Sequence, residues 1–277
     1  MAAIKVPGAT LYYEVRGSGA VLLMMPGGPA DAATFRRIED DLAKKFTVVT
    51  YDPRTYSHSR LDEPIDNSRM VELFADDASR LLRHLAGDAR SNVFASSGGA
   101  TIALDLIAKH AEQLDTVVLH EPPSPSLNPD KPGMRAEMEH VSETCATQGL
   151  FPAMQEFIVL VGIQAPPQQE PGHEPTAEEK EAQARMMGNM NYFFGDYIRN
   201  IARFEPDLDA IKAAPCRVVP AIGEESTDDQ LARMGGKNLA RILGVEPAVF
   251  PGDHGGFDGK PNEFAAKLLE VLDGSRR

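Results

Sequence analysis

Short apolar runs recur along the chain, each followed by a stretch whose apolar positions fall three and four residues apart. The runs at 21–25, 46–51, 93–95, 116–120 and 216–221 lack the in–out alternation of a half-exposed strand. They read as strands buried on both faces, as in a parallel sheet. The clearest helix is 70–85, where Val71, Phe74, Ala78, Leu81, Leu82 and Leu85 share one face. Further helices are predicted over 33–44, from the turn near 98 to about His110, over 230–243 and over 262–272. Two strands at 4–6 and 10–16, joined by Pro7-Gly8, precede this alternation, and a short strand at 248–250 ends it. Strand alternating with helix predicts an α/β fold with a mostly parallel, doubly wound sheet. Ligands of such sheets sit at the carboxyl ends of the strands.

The pattern changes between Pro122 and Phe204, where no strand is predicted. Helices are expected at 135–147, 152–161, 177–187 and 191–204, with a polar, proline-rich and mobile loop at 164–175. The sheet pattern then resumes. The expected organisation is a first part of the core sheet over 1–123, a helical cap insertion over 124–204, and a second part of the core over 205–277.

Composition narrows the function classes. Twenty-eight basic against 41 acidic residues give a formal charge of −13, which argues against nucleic acid or an anionic membrane as partner. Two cysteines, Cys145 and Cys216, are too few for a disulfide framework. The first residues lack the apolar core of a signal peptide, and no run reaches membrane-spanning length, so a cytoplasmic protein is expected. A homodimer is left open.

Candidate chemistry concentrates at Asn92 to Ala100, a strand, a sharp turn and a helix start. Ala95-Ser96-Ser97-Gly98-Gly99 fits the nucleophile-elbow pattern with Ser97 at its centre. The turn presents the serine hydroxyl at the strand's carboxyl end, beside the unpaired N–H groups of a helix start. Three other loops lie at the same edge: Pro26-Gly27-Gly28-Pro29, Asp52 to Arg60, and Glu121 onward. The sequence also ends its last strand in Gly252-Asp253-His254-Gly255.

Taken in order, these motifs resemble the α/β-hydrolase superfamily, and the match spans nearly the whole chain, from about Tyr12 to Leu272. The resemblance implies an α/β-hydrolase fold with the helical insertion as its cap. It makes Ser97 the nucleophile and His254 the general base, ahead of His58 and His120, which lie at the correct edge, and of His84, His110, His140 and His173. It places the oxyanion hole at the Gly28 and Gly98 N–H groups. For the acid, the usual position falls near Ser226, which cannot serve, and Glu225 is its acidic neighbour. A subset of the fold takes the acid from the strand after the elbow helix, where Glu121 stands. His120-Glu121-Pro122-Pro123 and the Ser-Ser elbow resemble zearalenone-type lactonases, so Glu121 is preferred and Glu225 stays open. The family commonly has glycine where Thr55 and Ser57 stand in the loop after Asp52. Thr55 is expected to be strained if that turn needs positive φ.

The implied reaction is hydrolysis of a carboxylic ester or lactone through an acyl-enzyme, without cofactor or metal. The insertion supplies Met134, Met138, Met154, Phe157, Met186, Met187, Met190, Tyr192, Phe193 and Phe194 as a flexible apolar lining. That lining suits a bulky hydrophobic substrate, and the lactonase resemblance points to a macrocyclic or aryl lactone. Three other readings remain open. One is a proline-iminopeptidase-like peptidase, with Glu137, Glu139 or Glu143 holding the substrate amine. The others are a carbon–carbon bond hydrolase and a non-catalytic binding protein.

Overall fold

Apolar runs that never alternate with polar residues end up in the middle of the sheet, where helices cover both faces. All five residues of Val21–Met25 are buried. Their neighbours in space bury likewise, with one half-buried exception at Thr47. The computed structural model describes residues 2–161 and 176–274. In chain order its elements are β1 (Ala2–Val6), β2 (Ala9–Gly17), β3 (Val21–Met25), α1 (Arg36–Leu42), β4 (Thr47–Tyr51), β5 (Arg60–Leu61), α2 (Met70–Ala86), β6 (Ser91–Ser96), α3 (Gly98–His110) and β7 (Leu114–His120). Then follow α4 (Lys131–Gln148), α5 (Leu150–Val161), α6 (Ala177–Tyr192), α7 (Ile198–Arg203), α8 (Leu208–Ala213), β8 (Arg217–Gly223), α9 (Leu231–Leu243), β9 (Ala248–Phe250), α10 (Gly256–Gly259) and α11 (Pro261–Asp273).

The strands join in the order β1-β2-β4-β3-β6-β7-β8-β9, with β5 beside β2. Pairings that involve β2 are antiparallel, and all others are parallel. Side chains divide by the strand period of two. Leu23, Met25, Val93, Ala95, Val117 and Leu119 pack towards α2 and α3. Leu22, Met24, Phe94 and Val118 face the other way, onto Ile38 and Leu42 of α1 and Phe264 and Leu268 of α11.

Among the described residues, 124–204 holds helices and no strand, and α4 to α7 lie between β7 and β8 in sequence. The expected loop at 164–175 lies outside the described residues. Helix α6 runs five residues past the expected end at Met187, and a π-helical turn, Phe193–Tyr197, joins it to α7. The helix expected over 33–44 opens as a 3₁₀ turn at Ala32–Phe35 and ends at Leu42. Helix α8 was not expected; Asp207 caps it by accepting from the Ala210 N–H at 2.9 Å. Cys145 and Cys216 are free thiols. Among the described residues no helix is long and apolar enough to cross a membrane.

Candidate active site

Strands β6 and β7 run parallel with Ser96 opposite His120, so the next residue of each, Ser97 and Glu121, leaves the sheet at the same level. Both leave it in the same unusual way. Ser97 has φ 55° and ψ −130°, and Glu121 has φ 51°. Positive φ is costly for residues with a β-carbon, and it persists only where surrounding contacts impose it. Here the Ser97 N–H donates to the His120 carbonyl at 2.9 Å, and the Glu121 N–H donates to the Ala221 carbonyl at 3.0 Å. Ser97 occupies the N-cap position of α3 but its hydroxyl makes no capping bond.

Glu121 is fully buried. One carboxylate oxygen accepts from the Gly223 N–H at 2.9 Å, and the other meets His254 Nδ1 at 2.7 Å. Burial acts to raise this carboxyl. The hydrogen bond with His254, the nearby imidazoles of His120 and His254, and the Gly223 N–H outweigh it and hold the group down at about 2. The carboxylate is therefore ionised throughout the neutral range. It fixes the imidazole with Nδ1 inward, which leaves Nε2 free for another partner. Behind it, Gly235 of α9 comes so close that a β-carbon there would lie 1.9 Å from the Pro122 carbonyl oxygen.

Glu225 goes elsewhere. Its side chain is 53% exposed and pairs with Lys260. Ser226 is buried, and its hydroxyl has no partner among the described residues. The rival histidines also have other company. His58 Nδ1 meets Asp52 at 2.8 Å, and its ring lies 4.7 Å from that of Tyr12. His84 meets the Tyr13 hydroxyl, His110 meets Asp76, and His140 lies among Glu143 and Glu156. His173 lies outside the described residues. His120 is fully buried among Phe94, Phe250 and Phe264, stacked on His254 at 6.1 Å between ring centres. Neither of its ring nitrogens has a partner among the described residues, and burial pushes it down to about 4.

Gly28, at φ 61°, lines a small pocket, about 20 Å³, together with Ser97 and Gly98. The pocket's other walls are Pro123 and the insertion's Met138, Phe157, Phe193, Tyr197, Ile198 and Ile201. Among the described residues no carboxylate lines it. Glu137 faces a separate groove with His140, Glu139 pairs with Arg203, and Glu143 is exposed. Of the expected lining, Met186 and Met187 turn to solvent, 48% and 53% exposed. Tyr197, Ile198 and Ile201 were not anticipated from sequence; nothing in their local pattern distinguishes them from ordinary helix-packing residues.

Thr55 and Ser57 adopt φ 81° and 48° in the loop after β4, so this turn does require positive φ of both. Asp52 braces the loop, accepting from the N–H groups of Ala32 and His58. Among the described residues, one group of three could hold a metal ion: His120, Glu121 and His254, with ligand atoms within 4.8 Å of one another. Sequence spacing hides this group. Both Glu121 oxygens already accept hydrogen bonds, so a cation there would displace the His254 contact.

Comparison with known proteins places the fold. A family profile described as the alpha/beta hydrolase fold matches residues 20–148. The "Uncharacterized hydrolase YraK" of Bacillus subtilis (strain 168) is 33% identical over 282 residues, covering 99% of this chain and 96% of the relative. A thermophilic esterase from Thermogutta terrifontis superposes with a TM-score of 0.74 at 19% identity, covering 99% of this chain and 97% of that one. The enol-lactonase from Burkholderia xenovorans LB400 superposes with a TM-score of 0.68 at 17% identity, covering 98% and 99%.

Proposed function

This chain belongs to the α/β-hydrolase family, and from that premise we propose that it is a serine hydrolase that cleaves a hydrophobic carboxylic ester or lactone through an acyl-enzyme. The observation that carries the reading is the buried Glu121–His254 contact of 2.7 Å at the sheet edge where Ser97 holds its strained turn. Ser97 Oγ attacks the carbonyl carbon while His254 Nε2 takes its proton. Glu121 keeps Nδ1 protonated and stabilises the imidazolium. The oxyanion is received by the N–H groups of Gly28 and Gly98, and Gly98 directly follows the nucleophile. His254 then protonates the leaving alcohol and activates water for the second half.

The apolar lining favours a neutral, hydrophobic acyl group, as an aryl or macrocyclic ester or lactone carries. Among the described residues the pocket's lining holds no carboxylate to receive a substrate amine, which favours an ester or lactone over the iminopeptidase reading. We further propose that 124–204 acts as the cap and that the protein works in the cytoplasm. Its partner is then the small-molecule substrate, with neither nucleic acid nor membrane.

Fluorophosphonate labelling, mapped by mass spectrometry on wild type and Ser97→Ala, tests the reading beside turnover of a short-chain aryl ester, an aryl lactone and a proline arylamide. The expected outcome is a label on Ser97 and ester or lactone turnover lost in Ser97→Ala. Preferred turnover of the arylamide would restore the peptidase. Neither label nor turnover would return Ser97 to an unactivated turn residue and favour a binding protein.

A further inference from the structure

A π-helical turn is rare, and it commonly marks a place where a helix is bent to serve a site. The one at Phe193–Tyr197 contributes Phe193 and Tyr197 to the lining of the Ser97 pocket. Tyr197 is 2% exposed. The hydroxyls of Tyr12 and Tyr192 bond Glu14 and Asn67. The Tyr197 hydroxyl has no hydrogen-bond partner among the described residues and lies beside the oxyanion loop. A β-carbon on Gly98 would lie 2.5 Å from that oxygen and 2.8 Å from the ring's Cε1. Position 98 thus lacks a side chain for a reason apart from backbone freedom: the phenol occupies the space. The nearby Tyr56 hydroxyl is fully enclosed without a partner among the described residues, whereas the unbonded Tyr197 oxygen is not fully enclosed and its residue lines the pocket.

We propose that the Tyr197 phenol is a third hydrogen-bond donor to the oxyanion, acting beside the Gly28 and Gly98 N–H groups. The inference rests on the serine-hydrolase reading above. The phenol donates without giving up its proton, so no bond is made or broken at Tyr197. Burial pushes its ionisation well above the ordinary tyrosine value, so it stays a donor at every pH the fold tolerates. The partner it lacks in the resting protein is supplied by the charge that develops on the substrate oxygen. A donor aimed at developing charge acts mainly in the transition state and leaves ground-state binding almost untouched.

The test is Tyr197→Phe, which keeps the ring and its packing. We expect kcat on an aryl ester to fall about 100-fold with KM unchanged. An aryl trifluoromethyl ketone, whose adduct with Ser97 carries the oxyanion, is expected to bind more weakly by the same factor, with Tm no lower than that of wild type. Unchanged kcat and ketone affinity overturn the proposal. So does a fall in kcat without the matching loss of ketone affinity, or one accompanied by a lower Tm and a higher KM, which marks a packing role. Ser97→Ala in the same assay separates the two levels. An inactive Ser97→Ala beside a fully active Tyr197→Phe removes the tyrosine alone. Turnover in Ser97→Ala removes the serine reading, and the tyrosine with it.

Discussion

The ends of β7 and β8 offer the same opportunity and use it differently. Each delivers an acidic residue near the loop that carries His254. At the end of β7, Glu121 is fully buried, held at positive φ, and bonded by a backbone N–H and the imidazole. At the end of β8, Glu225 lies half in solvent on Lys260, and the buried neighbour is Ser226. A carboxylate orients a histidine only if it is itself immobilised, and immobilising one in a dry site requires enough donors to replace its water. Glu121 has those donors. Glu225 keeps its water.

The strongest way to break this comparison is to neutralise each acid in turn. Glu121→Gln is expected to lower kcat/KM about 10⁴-fold, because the amide no longer imposes the needed tautomer on His254. Glu225→Gln is expected to leave it unchanged. Steady-state kinetics on one ester decides the matter, and equal effects would abolish the distinction.

A sharper test uses the burial at β7 itself. His120 is held near 4 in the fold against an ordinary 6.5. Between those values the unfolded chain binds a proton that the folded chain does not, so this histidine makes the protein lose stability as pH falls through that window. Glu121 contributes in the next window. Its folded value of about 2 lies below the ordinary 4.5, so its stabilisation is complete above 4.5 and is lost as pH falls towards 2. His120→Leu removes the first contribution and two unpartnered nitrogens. Its advantage in Tm over wild type is expected to grow by several degrees from about pH 7.5 to about pH 5. A constant difference across that range would mean that His120 binds its proton in the fold as readily as in the unfolded chain.

The smallest effect concerns strain. Glu121 and Thr55 both sit at positive φ, but the Thr55 hydroxyl is buried without a partner and its side chain holds no reactive group. Thr55→Gly is expected to raise Tm by about 1–2 °C, as relief of the β-branched strain exceeds the added entropy of the unfolded chain. Thermal melts at neutral pH measure it, and a lower Tm would mean that the loop needs the threonine methyl for packing.

Much of the fold was legible because its signals are local. Val21–Met25 and Ala248–Phe250 were delimited to the residue, and Met70–Ala86 within one. Continuous apolar runs and a one-sided helix leave few alternatives. Helix α6 is expected to end at Met187, and Gly188 follows it. The helix continues because Asn189 bonds Pro29 and Ser57, and Tyr192 bonds Asn67, all more than a hundred residues away in sequence. The site divides the same way. Ser97, Gly28 and His254 sit in loops with local signatures. The choice between Glu121 and Glu225 rests on Gly223 and His254, 102 and 133 residues from Glu121, and on Lys260. Tyr197 depends on a π-helical turn that no residue pattern announces.

The close approach of Gly235 to Pro122 bears on how this protein could evolve or be engineered. Alanine at a mid-helix glycine is the usual first step towards a hardier protein, worth up to about 1 kcal/mol. In α9 that step is closed, because the new methyl would collide with the Pro122 carbonyl and dislodge the adjoining Glu121. Gly236 beside it is confined in turn by the Ala221 carbonyl, at 2.8 Å from where its β-carbon would stand. A lineage moving into hotter surroundings would have to harden elsewhere, and this pair of glycines would survive as a trace of the site behind which they stand.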